Sequence, residues 1–288
     1  MKTLDTSFTE HHITLGENRI IYAREYANNG PAIFLLHGFP DNIHLYDYLI
    51  PLLATKFRVI TFDFLGWHKS SKPYDYAYKA ADQTKELAAV IAYFNTDNFW
   101  LVAHDASGPP AINYTLDNPD KVAKLILLNT YYSKMPTTRK PEAIWMFSTP
   151  GVRLVTGWVA KNFSAINRFT YYNQVGKFML NAARRKELLP KLYKSFADSK
   201  NFRAFLKLNR DLDEAIKTNT GRVAALASIG YKTHIIFGEA DPYLNPGVAR
   251  SFNQILPGST LKLIAEAGHY VQVDQPEQLA EVLMGIIE

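Results

Sequence analysis

The chain contains no cysteine. Disulfides, thiolate catalysis and Cys-ligated zinc are therefore excluded, and nothing in the composition calls for an oxidising compartment. Long apolar runs are missing as well: no uncharged stretch reaches the roughly 18 residues that suggest a membrane span. The start, Met1-Lys2-Thr3-Leu4-Asp5-Thr6-Ser7, is too polar for a secretory leader, so a soluble cytoplasmic protein is expected. No Gly-x-Gly-x-x-Gly or Walker loop follows any strand-like segment, so no nucleotide site and no cofactor is implied. His11-His12, His44 and His68 show no metal-ligand spacing, and no metal site is expected. Internal repeats and low-complexity segments are absent too.

What remains is a chain of 288 residues with 47% apolar content, enough to bury a large core as one α/β domain carrying an insertion or as two small domains. The formal charge of +5 is unevenly spread: Tyr131 to Thr218 holds 17 Lys/Arg and 6 Asp/Glu, and the rest of the chain is net acidic. Such asymmetry can mark a surface that meets nucleic acid. Here the cations are strung along helices, with Arg184-Arg185-Lys186 the one tight cluster, which reads as a solvated helical face. The expected partner is a small-molecule substrate, with no nucleic-acid or membrane partner, in a monomer or homodimer.

Two strand-like segments, Glu10–Leu15 and Arg19–Tyr26, flank Gly16-Glu17-Asn18 and suit an antiparallel hairpin. Short apolar strands then alternate with helices: Ala32–Leu36, Arg58–Phe62, a helix over Lys79–Phe94, Phe99–Ala103, a helix over Ala106–Leu116, and Lys124–Leu128. The alternation resumes with Thr233–Phe237, Pro246–Ile255, Leu261–Ile264 and Pro276–Ile287. This pattern specifies a mostly parallel sheet of eight strands with helices on both faces. Between Tyr131 and Thr218 no strong strand signal occurs, only amphipathic stretches at Gly151–Ala160, Val175–Ala183, Leu188–Asp198 and Arg203–Lys217. The expected organisation is a core of residues 1–130 and 219–288, with 131–218 inserted as a helical cap over the C-terminal edge of the sheet, where ligands bind in such folds.

The strand Phe99–Ala103 runs through His104 to Asp105 and then breaks into Ala106-Ser107-Gly108-Pro109. An apolar strand ending in one reactive side chain and then small residues has the form of a nucleophile elbow. A carboxylate there attacks carbon as an ionised oxygen and needs no proton removed first. Asp241 and His269 also stand just past strand ends. In a parallel sheet those ends share one edge, so the three residues can converge as nucleophile, acid and base. His37-Gly38-Phe39-Pro40 follows another buried strand. Gly38 allows close approach and Pro40 fixes the loop, with a cis bond as one option. The N–H groups of Phe39 and Ala106 would then form an oxyanion hole.

With these motifs the sequence resembles the α/β-hydrolase superfamily over essentially its whole length, and more narrowly the epoxide hydrolase and haloalkane dehalogenase branch. The resemblance rests on His37-Gly38-Phe39-Pro40-Asp41, Asp63-Phe64-Leu65-Gly66 with Ser70, His104-Asp105-Ala106-Ser107-Gly108, Gly238-Glu239-Ala240-Asp241 and Gly268-His269. It implies the α/β-hydrolase fold, an Asp nucleophile at Asp105, the relay acid Asp241 and water activation by His269. Dehalogenases that place the acid after an earlier strand would have Glu near Asn129, which cannot serve.

The departures concern the leaving group. The branch usually carries Trp directly after the nucleophile, where this chain has Ala106, and dehalogenases often have Asn in the loop at the position of Phe39. Epoxide hydrolases use two cap tyrosines, yet Met146 and Asp211 stand in the segments that resemble theirs. Fluoroacetate dehalogenases place arginines after the nucleophile, where Ser107, Gly108 and Pro109 occur here. Other donors are available. Tyr131 and Tyr132 enter the cap from the strand edge. Tyr171 and Tyr172 are adjacent, so only one can face inward from a helix. Trp145 and Trp158 carry indole N–H groups. His37, Tyr131, Tyr132, Trp145, Met146, Tyr171, Tyr172 and Asp211 are thus candidate substrate-binding residues. Epoxide opening is preferred to dehalogenation, because two halide donors are missing while phenols abound. An esterase or lactonase using Ser107, and a ligand-binding protein on a retired hydrolase scaffold, are the alternatives from other classes.

Overall fold

The computed structural model describes residues 7–286. Met1–Thr6, on which the reading of the chain's start rests, and Ile287, the last residue of the final expected helix, lie outside the described residues.

The strands are β1 (Thr9–Gly16), β2 (Arg19–Tyr26), β3 (Ala32–Leu36), β4 (Arg58–Phe62), β5 (Phe99–Asp105), β6 (Val122–Thr130), β7 (Thr233–Gly238) and β8 (Thr260–Ile264). They form one eight-stranded sheet in the order β1-β2-β4-β3-β5-β6-β7-β8. The first two strands pair antiparallel, β2 meets β4 antiparallel, and every later pairing is parallel. The alternation of buried and exposed residues along β1 marks an edge strand, whereas β3 is buried at every position. That contrast is what a strand covered on one face and a strand covered on both faces require.

The helices are α1 (Ile50–Leu53), α2 (Ala80–Phe94), α3 (Gly108–Asp117), α4 (Glu142–Ser148), α5 (Val152–Asn162), α6 (Ser164–Gly176), α7 (Ala182–Phe196), α8 (Ser199–Thr220), α9 (Pro246–Ile255), α10 (Val271–Asp274) and α11 (Pro276–Gly285). Five of them, α4 to α8, lie between β6 and β7. Asn95, at φ 45° in the left-handed region, ends α2, a role to which Asn is suited. Asn181 and Asp198 cap α7 and α8 by accepting backbone N–H groups.

The expected amphipathic stretch Val175–Ala183 is not one helix. Helix α6 stops at Gly176 and α7 begins at Ala182, because the intervening backbone is bonded to the C-terminal segment instead of to itself. The Phe178 carbonyl accepts the Tyr270 N–H at 3.2 Å, and the Leu180 and Asn181 N–H groups both donate to Asp274 Oδ1 at 2.8 Å. Arg184 adds bonds to the Val273 and Asp274 carbonyls and to Glu277. Two residues of the basic cluster thus serve internal contacts, since Arg185 also donates to the Gly176 and Met179 carbonyls. The inserted helices are thereby tied to the loop that carries His269.

Candidate active site

Asp105 ends β5 with φ at +50°, a conformation that costs a non-glycine residue and turns its side chain above the sheet. Three contacts hold it there. The Thr130 hydroxyl donates to the Asp105 carbonyl at 2.5 Å. Gly38 lies so close that a Cβ would sit 2.7 Å from His104 Nδ1 and 2.8 Å from Asp105 Cβ. At Gly108 a Cβ would come within 1.8 Å of Thr130 Oγ1. Gly108→Ala should therefore destabilise the fold by about 1–3 kcal/mol, a fall of several degrees in the thermal midpoint. An unchanged midpoint by scanning calorimetry would show that this packing is looser than described.

The Asp105 carboxylate meets one of the two expected N–H donors in a hydrogen bond: Oδ2 accepts the Phe39 N–H at 3.0 Å, while the Ala106 N–H acts on the carboxylate electrostatically. The Phe39–Pro40 bond is cis. Oδ1 faces His269 Nε2 at 3.9 Å, beyond a direct hydrogen bond but within the span of one water. His269 Nδ1 binds Asp241 Oδ2 at 2.7 Å. The other Asp241 oxygen accepts the N–H groups of Tyr243 at 2.8 Å and Leu244 at 3.1 Å. The residues β5, β7 and β8 carry beyond their ends thus converge.

Burial sets the electrostatics. It pushes the Asp105 carboxyl above its ordinary range, against the pull of His269 and the two N–H groups. For Asp241 burial works the same way, but His269 and the N–H donors outweigh it and hold the carboxyl low. Burial opposes an imidazolium at His269, yet the charges of Asp241 and Asp105 raise it to about 9. The pair Asp241–His269 is therefore ionic at neutral pH while Asp105 is charged.

Above Asp105 lies a mostly apolar cavity reaching into the inserted helices, walled by Phe39, Ile144, Phe147, Val175, Phe205 and Leu208 among others. Of the expected substrate-binding residues, Tyr131 and Tyr171 line it. Tyr171 is the inward member of its pair, its hydroxyl buried without a hydrogen-bond partner, while Tyr172 packs against Tyr193 and Arg168. The remaining candidates lie elsewhere. Tyr132 is fully buried and donates to Asn113 Oδ1, because the residue after Tyr131 points to the opposite side. Trp145 is 51% exposed and Trp158 60% exposed, both on outer helix faces. Met146 does not line the cavity; Phe147 does. Asp211 accepts the Ala80 N–H at 3.2 Å, joining α8 to the start of α2. His37 lies under the loop, accepting the Phe64 N–H at Nε2, which leaves Nδ1–H to donate to the Gly38 carbonyl at 2.7 Å.

Ser107 is also ruled out as a nucleophile by position. It is 1% exposed, and its hydroxyl accepts the His104 N–H and contacts the Leu36 and His104 carbonyls beneath the elbow. His104 lies there too, with Nε2 bonded to the His269 carbonyl at 3.0 Å.

Two residues of the site were not singled out from the sequence. Asn129 donates to Asp241 Oδ2 at 2.9 Å and accepts the Gly238 N–H at 2.8 Å, so it orients the acid it cannot replace. Asp41 is buried; Tyr270 donates to its Oδ1 at 2.6 Å, while Oδ2 has no partner. Burial pushes its carboxyl up to about 7. Its place directly after His37-Gly38-Phe39-Pro40 was the available signal. Among the described residues no group of three His, Asp or Glu side chains could hold a metal ion, and no helix is long and apolar enough to cross a membrane.

An elbow carboxylate beside paired N–H groups and a His–Asp pair, on the C-terminal edge of a parallel sheet, defines a hydrolytic site of the α/β-hydrolase type. Residues 31–276 match the model of the α/β hydrolase fold family, and the chain belongs to that family. It is 38% identical over 109 residues to a fluoroacetate dehalogenase from Burkholderia sp, a match covering 35% of this chain and 34% of that protein. It is 25% identical to epoxide hydrolase 1 of Caenorhabditis elegans, over 94% of this chain and 68% of that one. A haloalkane dehalogenase structure from Bradyrhizobium elkani superposes with a TM-score of 0.82 at 24% identity, covering 98% of each chain.

Proposed function

We propose that this hydrolase works through a covalent alkyl ester on Asp105 and that its preferred substrates are small or medium hydrophobic epoxides. In this reading residues 131–218 act as a cap over a core formed by 1–130 and 219–288. The observation that carries it is the setting of the Asp105 carboxylate: one oxygen accepts the Phe39 N–H while the other is turned toward His269 without bonding to it. A serine nucleophile would need its base in direct contact to take a proton. A carboxylate does not, and leaves the imidazole for water.

In the first step Asp105 Oδ1 attacks an epoxide carbon in line. The C–O bond of the ring breaks, and a phenol protonates the departing oxygen. Tyr131 and Tyr171 are two of the phenols that line the cavity; the hydroxyl of a third, Tyr243, is bonded to Glu142 and Gln174. Burial, with Asp105 and Asp211 nearby, keeps the Tyr131 phenol above its ordinary range and so protonated at neutral pH. In the second step His269 takes a proton from water, and the hydroxide attacks Cγ of Asp105. The resulting oxyanion rests on the Phe39 and Ala106 N–H groups, worth about 3 kcal/mol per donor in comparable sites. Collapse releases the diol, which takes its proton from His269, and the proton left on the Asp105 carboxyl returns through water to the phenolate. Among the described residues no indole lines the cavity to hold a halide, which favours the epoxide. The similarity to a fluoroacetate dehalogenase supports a second reading, carbon–halogen hydrolysis by the same Asp105 ester.

A panel of epoxides, haloalkanes, haloacids and esters, assayed on the wild type and on Asp105→Ala, tests the proposal. Epoxide turnover that disappears in Asp105→Ala is expected. Tyr131→Phe combined with Tyr171→Phe should lower kcat/KM for epoxides by roughly 10²–10⁴-fold. Turnover of halides alone would move the leaving group to halogen, and activity that survives Asp105→Ala would overturn the ester mechanism.

A further inference from the structure

Helix α5 is an anomaly among the amphipathic helices: none of its residues is buried. Leu154 is 73% exposed, Val155 64% and Trp158 60%, and their spacing of three and four residues places them on one face. The face continues across the junction with α6. The Trp158 and Phe163 rings touch at a centroid distance of 5.8 Å, and Ile166 and Phe169, three residues apart, are 49% and 73% exposed. An exposed apolar surface of this kind marks an interaction site.

The charges beside it select the partner. From Ala143 to Lys186 the chain has no Asp or Glu, while it has seven Lys and Arg. Arg153 and Lys161 lie on α5 and Arg168 on α6, flanking the apolar residues, with Arg168 over the Tyr172 and Tyr193 rings. Among the described residues no carboxylate comes within ion-pairing distance of any of them. A second copy would bring the same cations face to face across a two-fold axis, which opposes association. Apolar side chains ringed only by cations instead match a surface that is apolar within and anionic at its edge.

We propose that the outer face of α5 and α6 docks on a lipid bilayer bearing anionic headgroups. Trp158 and its apolar neighbours enter the boundary between headgroups and acyl chains, while Arg153, Lys161 and Arg168 meet the headgroups. This departs from the expectation of no membrane partner, and it concerns a surface helix pair, not a span. The location has a consequence for the cavity. Asn167 and Thr170 of α6 line it, while Ile166 and Phe169 of the same helix face outward. The α6 wall of the cavity would then lie beside the phase in which hydrophobic substrates accumulate.

Cosedimentation of the full chain with vesicles of phosphatidylcholine, alone or mixed with phosphatidylglycerol, tests this. Each cation contributes about fivefold at an anionic surface, so three give a preference for the mixed vesicles on the order of a hundredfold. Salt at about 0.5 M should largely remove it, and the tryptophan emission should shift to the blue on binding. Leu154→Ser/Trp158→Ser/Phe169→Ser should lose vesicle binding with its thermal midpoint unchanged. Arg153→Gln/Lys161→Gln, which spares the stacking of Arg168 on Tyr172 and Tyr193, should lose most of the lipid preference. The proposal is overturned if the wild type stays in the supernatant with both vesicles, or if the charge variant binds as the wild type does. It is equally overturned if the wild type sediments as a dimer that the serine variant converts to monomer.

Discussion

His269→Gln is expected to stop the protein after one turnover with the product still attached to Asp105. Gln preserves much of the volume and cannot take a proton from water, so ester hydrolysis should slow by roughly 10²–10⁴-fold. Formation of the ester should be largely spared, because a carboxylate nucleophile needs no base to take its proton and Asp105 Oδ1 has no bond to His269 to lose. Intact-protein mass spectrometry after substrate addition should show one equivalent of adduct, localised by digestion to the peptide containing Asp105. The increment also identifies the leaving group. An epoxide adds its whole mass, since ring opening expels nothing, whereas an alkyl halide adds its alkyl group and releases halide. A variant that shows no adduct with any substrate turned over by the wild type would refute the covalent route.

Asp105→Asn should abolish turnover, with a loss on the order of 10⁴-fold or more, as removal of a nucleophile does elsewhere. Its second effect is electrostatic. Burial disfavours the His269 imidazolium, and Asp241 and then Asp105 oppose that to raise it to about 9. Neutralising Asp105 removes one of the two carboxylates, so the imidazole should titrate below 9 in the variant. In the proposed mechanism the same sign would apply during catalysis: alkylation would turn Asp105 into a neutral ester, and His269 would become available as a base at lower pH than in the free enzyme. NMR titration of the His269 ring in wild type and Asp105→Asn measures the shift. An unchanged or higher value in Asp105→Asn would show that the two groups are not coupled as the 3.9 Å separation requires.

The strand plan was legible because wholly apolar segments such as Ala32–Leu36 can only be central strands here, and the hairpin because Gly16-Glu17-Asn18 interrupts two paired runs. The junction at Lys177–Asn181 was not legible. Its side chains repeat with a helical period, but its N–H groups are claimed by Asp274, almost a hundred residues away. Asn129 was hidden for a similar reason. An amide at a strand end has no reactivity of its own, and its value appears only when Asp241 is seen 2.9 Å away.

The cavity residues divide along the same line. Tyr171 and Tyr172 are equivalent by composition and adjacent in sequence, and the rotation of α6 against α7 decides which phenol meets the cavity. Trp145 and Trp158, plausible donors by type, ended on outer faces because α4 and α5 turn other sides inward. By contrast, residues placed directly after strands met as expected, since all C-terminal ends of parallel strands share one edge of the sheet.

The sequence by itself thus determined the sheet and the meeting of Asp105, Asp241 and His269, because strand direction and chain order are enough to bring strand ends together. Only the tertiary structure decided what surrounds them: which phenols line the cavity, which amide bonds to Asp241, and which apolar helix face is left exposed. Those depend on how helices turn against one another, and that is set by packing between segments far apart in the chain.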